Sequence, residues 1–240
     1  MKEPQKTITR KIEDTNRLIG YLGSSFDDYI ASRVLFNSGM LTQACCLANT
    51  AIEKYFKAFV EFKGNKIKAK HNLAKLLPTV ENFDSDLYNK LNIEFLLELT
   101  KIYETRYIGD CPGGYNFVIL RNKYLAELDY TYSLIEPKIR YSKKGKEIRE
   151  TLYEMLISAK NPAIWTNNYL LNKIEKNTFI ENLDLVYELR VVKSNNELLE
   201  VKYSTSESKN NGKFRFEALK TNDFKSFTFS HKPVDKNWKY

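Results

Sequence analysis

The 240-residue sequence is short of the residues that mark several common protein classes. It has three cysteines, an odd number, and two of them, Cys45 and Cys46, are adjacent. That pattern makes no disulfide framework and fits a reducing, cytoplasmic setting. Two histidines, His71 and His231, lie far apart and do not suggest a His-rich metal site. Gly109, Gly113 and Gly114 are not followed by Gly-Lys-Ser/Thr, so they do not read as a P-loop. The opening Met1-Lys-Glu-Pro-Gln-Lys leads into mixed charge, which predicts no cleaved secretory signal. The longest uncharged run, 34–52, carries Asn37, Ser38, Thr42, Gln43, Asn49 and Thr50. It is too polar for a membrane span. The sequence indicates no cofactor, no metal and no internal repeat.

What is present suits a folded chain: 42% apolar, 13% aromatic and 28% charged residues. The net charge is +8, divided as +5 over residues 1–150 and +3 over the remainder, so no basic tail dominates. Two clusters stand out. Lys63, Lys66, Lys68 and Lys70 precede His71, and Lys138, Arg140, Lys143, Lys144, Lys146 and Arg149 follow later. Each reads either as a solvated helix end or as a phosphate contact.

Apolar spacing of three to four predicts a mostly helical chain. Residues 5–20 read as a weak helix. Phe26 to Leu35 read as a second, capped by Ser24 or Ser25 and ended by Gly39. Leu41, Ala44, Cys45, Ala48, Ala51, Ile52, Tyr55, Phe56 and Phe59 trace one face of a third, which ends at Gly64 and forms core or a dimer seam. His71-Asn-Leu opens a short helix through Val80. Asp84 or Ser85 caps a longer one from Leu87 to Tyr103. Residues 107–116 read as a loop, and Phe117 to Ile135 as the next helix. Two further helices are expected at 146–160 and 163–176, broken at Asn161-Pro162. Beyond about 180, alternating residues predict a small antiparallel β-meander of up to four strands: Leu183–Val191, Leu199–Tyr203, Phe214–Ala218 and Phe227–Phe229. The expected organisation is 1–140 bundle, 141–178 helical connector and 179–240 meander.

Three stretches, in order, resemble the HEPN domain family (higher eukaryotes and prokaryotes nucleotide-binding), over roughly residues 24–137. They are Ser38 to Phe59 with its Ala-Ile-Glu-Lys core, Lys70-His-Asn-Leu, and Glu104-Thr-Arg-Tyr. The resemblance implies a compact antiparallel helical bundle, often dimeric, in a family linked to nucleotide or RNA binding. Some relatives are ribonucleases or toxins paired with a minimal nucleotidyltransferase, and these carry an Arg followed four to six residues later by a His. Here neither histidine has that Arg. After Arg121 at the start of the last bundle helix, the His positions hold Leu125, Ala126 and Glu127. Cleavage through the RNA 2′-hydroxyl needs an acid and a base titrating near neutrality, normally His, whereas Arg does not titrate.

The expected function is therefore non-catalytic binding of nucleotide or RNA phosphates by a homodimer. Two alternatives are a ribonuclease or toxin component with a nucleotidyltransferase partner, and a protein–protein interaction scaffold. No catalytic residue and no membrane partner is assigned. The phosphate-binding candidates are His71, Arg106, Tyr107, Lys54, Lys57, Lys66, Lys68 and Lys70. Each also has a plainer reading. His71 beside Asn72 reads as a helix cap. Arg106 and Tyr107 read as a C-terminal carbonyl partner and a packing ring. Glu53 and Lys57 have the spacing of a surface ion pair.

Overall fold

A computed structural model describes residues 12–64, 72–106, 115–140, 142–143, 146–147, 150–182, 184–192, 197–205 and 215–218. Helix α1 runs unbroken from Ile12 to Asn37, where the sequence suggested two helices. Ser25 is no cap. It is buried inside the helix, and its hydroxyl donates to the Ala51 carbonyl at 2.7 Å. Gly39 stops α1 as expected. With φ at 77° it lets its own N–H reach Phe36 O and the Met40 N–H reach Leu35 O. Those two bonds satisfy terminal carbonyls in the manner of a Schellman motif.

Helix α2, Leu41–Phe62, is the centre of the bundle. Its Ala44, Ala48 and Ala51 are fully buried, and their small side chains let α1 come close. Ser32 donates to Ala44 O at 2.8 Å, so the pairs Ser25–Ala51 and Ser32–Ala44 show α1 and α2 running antiparallel. Cys45, Ile52, Phe56 and Phe59 are core, which resolves the choice between core and dimer seam for these side chains. Gly64, at φ 99°, closes the helix.

Asn72 caps the 3₁₀ turn Leu73–Lys75, its side chain accepting from Lys75 N at 3.0 Å. Helix α3 follows at Leu77–Phe83. The expected long helix from Leu87 is two: α4, Ser85–Tyr88, capped by Asp84, and α5, Ile93–Glu104, capped by Asn92. Asn92 accepts from Phe95 N, and this cap starts the second helix. Helix α6, Arg121–Ile135, buries Tyr124, Leu125, Leu128 and Tyr132 against the bundle. The connector forms α7, Leu152–Ser158, α8, Pro162–Trp165, and α9, Lys176–Glu181. Residues 146–147 belong instead to a short β-pair with Ser142–Lys143, so the expected helix at 146–160 begins later.

The β-meander is the main correction. Tyr115–Leu120 forms strand β1, not the first turn of a helix. The short pair just named supplies β2 and β3, and β4 (Asp184–Val192), β5 (Glu197–Thr205) and β6 (Arg215–Ala218) come after it. The sheet order is β5-β4-β1-β6, all antiparallel. Strands β4 and β5 make the expected hairpin. Strand β6 pairs with β1, so a strand from just before α6 is inserted where a meander would continue. The run Phe117-Val-Ile-Leu is rich in β-branched and aromatic residues, which suits the strand. Phe117 and Ile119 are fully buried. The expected strand at Phe227–Phe229 lies outside the described residues.

Candidate functional site

The described phosphate candidates are engaged within the bundle. Lys54 Nζ lies 2.7 Å from Asp28 on α1, and Lys57 Nζ lies 2.5 Å from Glu53. The Glu53–Lys57 pair has the expected spacing but is buried, not on the surface. Arg106 is exposed at the end of α5. Its guanidinium lies 3.4 Å from the centroid of the Tyr103 ring, and one nitrogen donates to Tyr103 O at 2.9 Å. That is the carbonyl-capping role. His71, Tyr107, Lys66, Lys68 and Lys70 lie outside the described residues.

The two ends of α2 separate these groups. Arg106 lies within electrostatic reach of Cys46, near the start of α2. Lys63, the first lysine of the 63–70 cluster, sits at the opposite end, 5.4 Å from the Phe59 ring and within reach of Asp84. Between Cys46 and Lys63 lie about 25 Å of helix at about 1.5 Å per residue. Burial pushes the Cys45 and Cys46 thiols up from their ordinary value, as for packing residues.

At the start of α6, Leu125 and Ala126 point into the core at 0% exposure, and Glu127 pairs with Lys176 of α9 at 2.7 Å. Asn122 donates to Phe179 O at 3.3 Å. Burial pulls the Lys123 ammonium down from the ordinary lysine value, and Glu94 and Glu127 oppose that pull. Among the described residues, no group of three His, Cys, Asp or Glu is placed to hold a metal ion. No described helix is long and apolar enough to cross a membrane.

A second site was not anticipated from the sequence. A cavity of about 280 Å³ opens between α1, α2, the end of α6 and the start of α7. Phe26, Tyr55, Tyr132 and Tyr153 line it, with Glu136 and Glu150. Tyr132 is the common neighbour: its ring centroid lies 6.4 Å from Phe26, 6.2 Å from Tyr55 and 5.6 Å from Tyr153. Tyr55 donates to the Glu136 carbonyl at 3.0 Å, which fixes the end of α6 against α2. A capping box holds the opposite wall. Thr151 accepts from Glu154 N at 3.3 Å, and Glu154 accepts from Thr151 N at 2.8 Å. Burial pushes the Glu136 carboxyl up, opposed by a hydrogen bond from Thr151 and by Arg140. Of these features, only the Thr151-x-x-Glu154 box is legible as a sequence pattern.

No curated protein and no solved structure matches the chain. Residues 21–112, from within α1 to beyond the end of α5, match the family model of the HEPN domain.

Proposed function

We propose that the chain is a non-catalytic HEPN module that binds nucleotide or RNA phosphates and works as a homodimer. The observation that carries the non-catalytic half is the start of α6. The three positions where a His would follow Arg121 hold two core residues and a glutamate bound to Lys176. Installing an imidazole there would require displacing core packing. The binding half draws support from the HEPN match and from Arg106, an exposed guanidinium laid flat on a ring at a helix end. Arg suits phosphate through its planar fork of donors. Lys54 and Lys57 support it less, because Asp28 and Glu53 already hold them. The lysines of the 63–70 cluster then form the other anion-attracting group in this reading.

Titration of the full chain with ATP, GTP and a short single-stranded RNA, at low and moderate salt, tests it. Saturable binding that weakens with salt and drops in Arg106→Ala is the expected result. No binding to any of the three at low salt overturns it. Incubation with total RNA is the companion assay. Cleavage by the wild type that is lost in both Arg106→Ala and His71→Ala would make the protein a ribonuclease instead.

A further inference from the structure

We propose that the aromatic cavity between α1, α2, α6 and α7 is a binding site for a small organic cation, an alkylammonium or guanidinium group on an apolar body. The argument begins with charge. The chain as a whole is basic, at +8, yet among the described residues the cavity lining holds two carboxylates, Glu136 and Glu150, and no Lys or Arg. Among the described residues, the guanidinium of Arg140 stands beside it. Its short contacts, 3.2 and 2.7 Å, go to Glu154, and it reaches Glu136 only at 3.8 Å. Two carboxylates, Glu154 and Glu136, thus share that guanidinium. A buried carboxylate compensated so incompletely gains from a cation placed next to it.

The walls suit the rest of such a ligand. Phe26, Tyr55, Tyr132 and Tyr153 supply π-systems around one space, and aromatic rings attract ammonium and guanidinium groups, most strongly where water is excluded. Leu22, Ile139, Leu152 and Met155 supply apolar lining, and Leu152 and Met155 are largely exposed at the lip.

Gly23 adds an independent observation. It lies inside α1, where glycine is a poor helix former, and it lines the cavity. A Cβ built there meets no atom within 4 Å outside its own helix. The helix therefore carries a weak residue at the point where a side chain would project into the space.

A phosphate would meet the wrong sign here, so this site is distinct from the phosphate reading above and does not depend on it. Binding should strengthen as pH rises through the Glu136 titration, above the ordinary carboxylate range, because the proton and the cation compete for one carboxylate. Among the described residues, the groups that face Glu136 are Thr151 and Glu154 of the α7 start, Arg140, Tyr55 of α2, Tyr132 of α6 and, at the cavity edge, Glu150 and Tyr153.

The test is calorimetric titration of the full chain with choline and agmatine as free cations and with a short Ala-Arg-Ala peptide. The neutral choline isostere 3,3-dimethylbutan-1-ol serves as control. At least one cation should bind about tenfold more tightly than the alcohol, as a ring-and-carboxylate site requires. Tighter binding of the peptide assigns the cation to a protein side chain. Tighter binding of choline or agmatine assigns it to a free metabolite. Glu136→Gln should remove the preference for charge, and Gly23→Leu, which fills the space from a helix position that tolerates a side chain, should abolish binding while the protein stays folded. Equal binding of choline and the alcohol overturns the proposal. So does unchanged affinity in a folded Gly23→Leu, or no binding of any cation at about 10 mM, weaker than any useful small-ligand affinity.

Discussion

Two arginine–carboxylate centres lie on either side of one tyrosine stack, and they differ in how their charges are matched. In the first, Arg33 of α1 pairs with Asp129 of α6, both fully buried. The Arg33 guanidinium also donates to Ala163 O at 3.0 Å and to Thr166 O at 2.6 Å, and Tyr29 donates to Asp129 at 2.9 Å. One cation meets one anion, and carbonyls take up remaining donors. In the second, Arg140 is shared between Glu154 and Glu136, and the space beside them is open. Tyr29 belongs to the first centre and Tyr132 to the second, and their rings stack at 3.9 Å. The same residue types therefore make a structural clamp where the charges close on one another, and a cavity with surplus negative charge where they do not.

The comparison breaks most visibly at the closed centre. Arg33→Met should cost roughly 3–5 kcal/mol, because it strands Asp129 as an uncompensated buried charge. It also orphans the carbonyls that tether the α8 region to α1. Urea denaturation of the variant, next to Arg33→Met combined with Asp129→Leu, measures it. The double variant should recover much of the loss, since apolar replacement of both partners is often close to neutral. A double variant as unstable as the single one would show that the carbonyl bonds, not the charge pairing, hold this centre.

Thr151→Val tests the wall of the open centre. Loss of an N-cap hydroxyl costs about 1 kcal/mol. The same hydroxyl hydrogen-bonds the Glu136 carboxyl and holds its pKa down against burial. The variant should raise the Glu136 pKa further and move the pH midpoint of cation binding upward. A thermal melt gives the first effect, and choline titrations across pH give the second.

Much of the helical bundle was legible in the sequence, and the reasons are local. Gly39 and Gly64 end helices because only a residue without a Cβ adopts a positive φ cheaply. The α2 face from Leu41 to Phe59 kept helical spacing and is buried. Errors arose where tertiary partners decide. Ser25 looks like a cap until Ala51 O is seen to accept from it. Phe117-Val-Ile-Leu fits either helix or strand, and its pairing with 186–189 is a contact across the chain. The Glu53–Lys57 pair was read correctly by spacing, but nothing in the spacing tells that α2 is covered on that side. The cavity was invisible for the same reason: its four rings come from four segments separated by many residues.

Gly23→Ala should stabilise the protein by about 0.5–1 kcal/mol, the usual gain for replacing a mid-helix glycine where no neighbour objects. A methyl group is small against a cavity of about 280 Å³, so cation affinity should change little, unlike in Gly23→Leu. Denaturation midpoints and choline titration of the pair separate helix propensity from occupied space. A stability gain in both variants, with binding lost only in the larger, shows that glycine costs the fold something at this position and leaves the site its room.

Arg140→Met carries the smallest effect on stability and the most informative one on the comparison. Arg140 and its nearer partner Glu154 are partly exposed, so the loss should stay below about 1 kcal/mol, in contrast to Arg33→Met. Its effect on the cavity has the opposite sign to a loss of function. Removing the Arg140 guanidinium from beside Glu136 and Glu154 leaves those carboxylates less compensated, so choline should bind more tightly at neutral pH, and the Glu136 pKa should rise. Weaker binding would mean that Arg140 orders the carboxylates for the ligand and does not compete with it. The open centre would then resemble the closed one, with its arginine as an integral part of the structure.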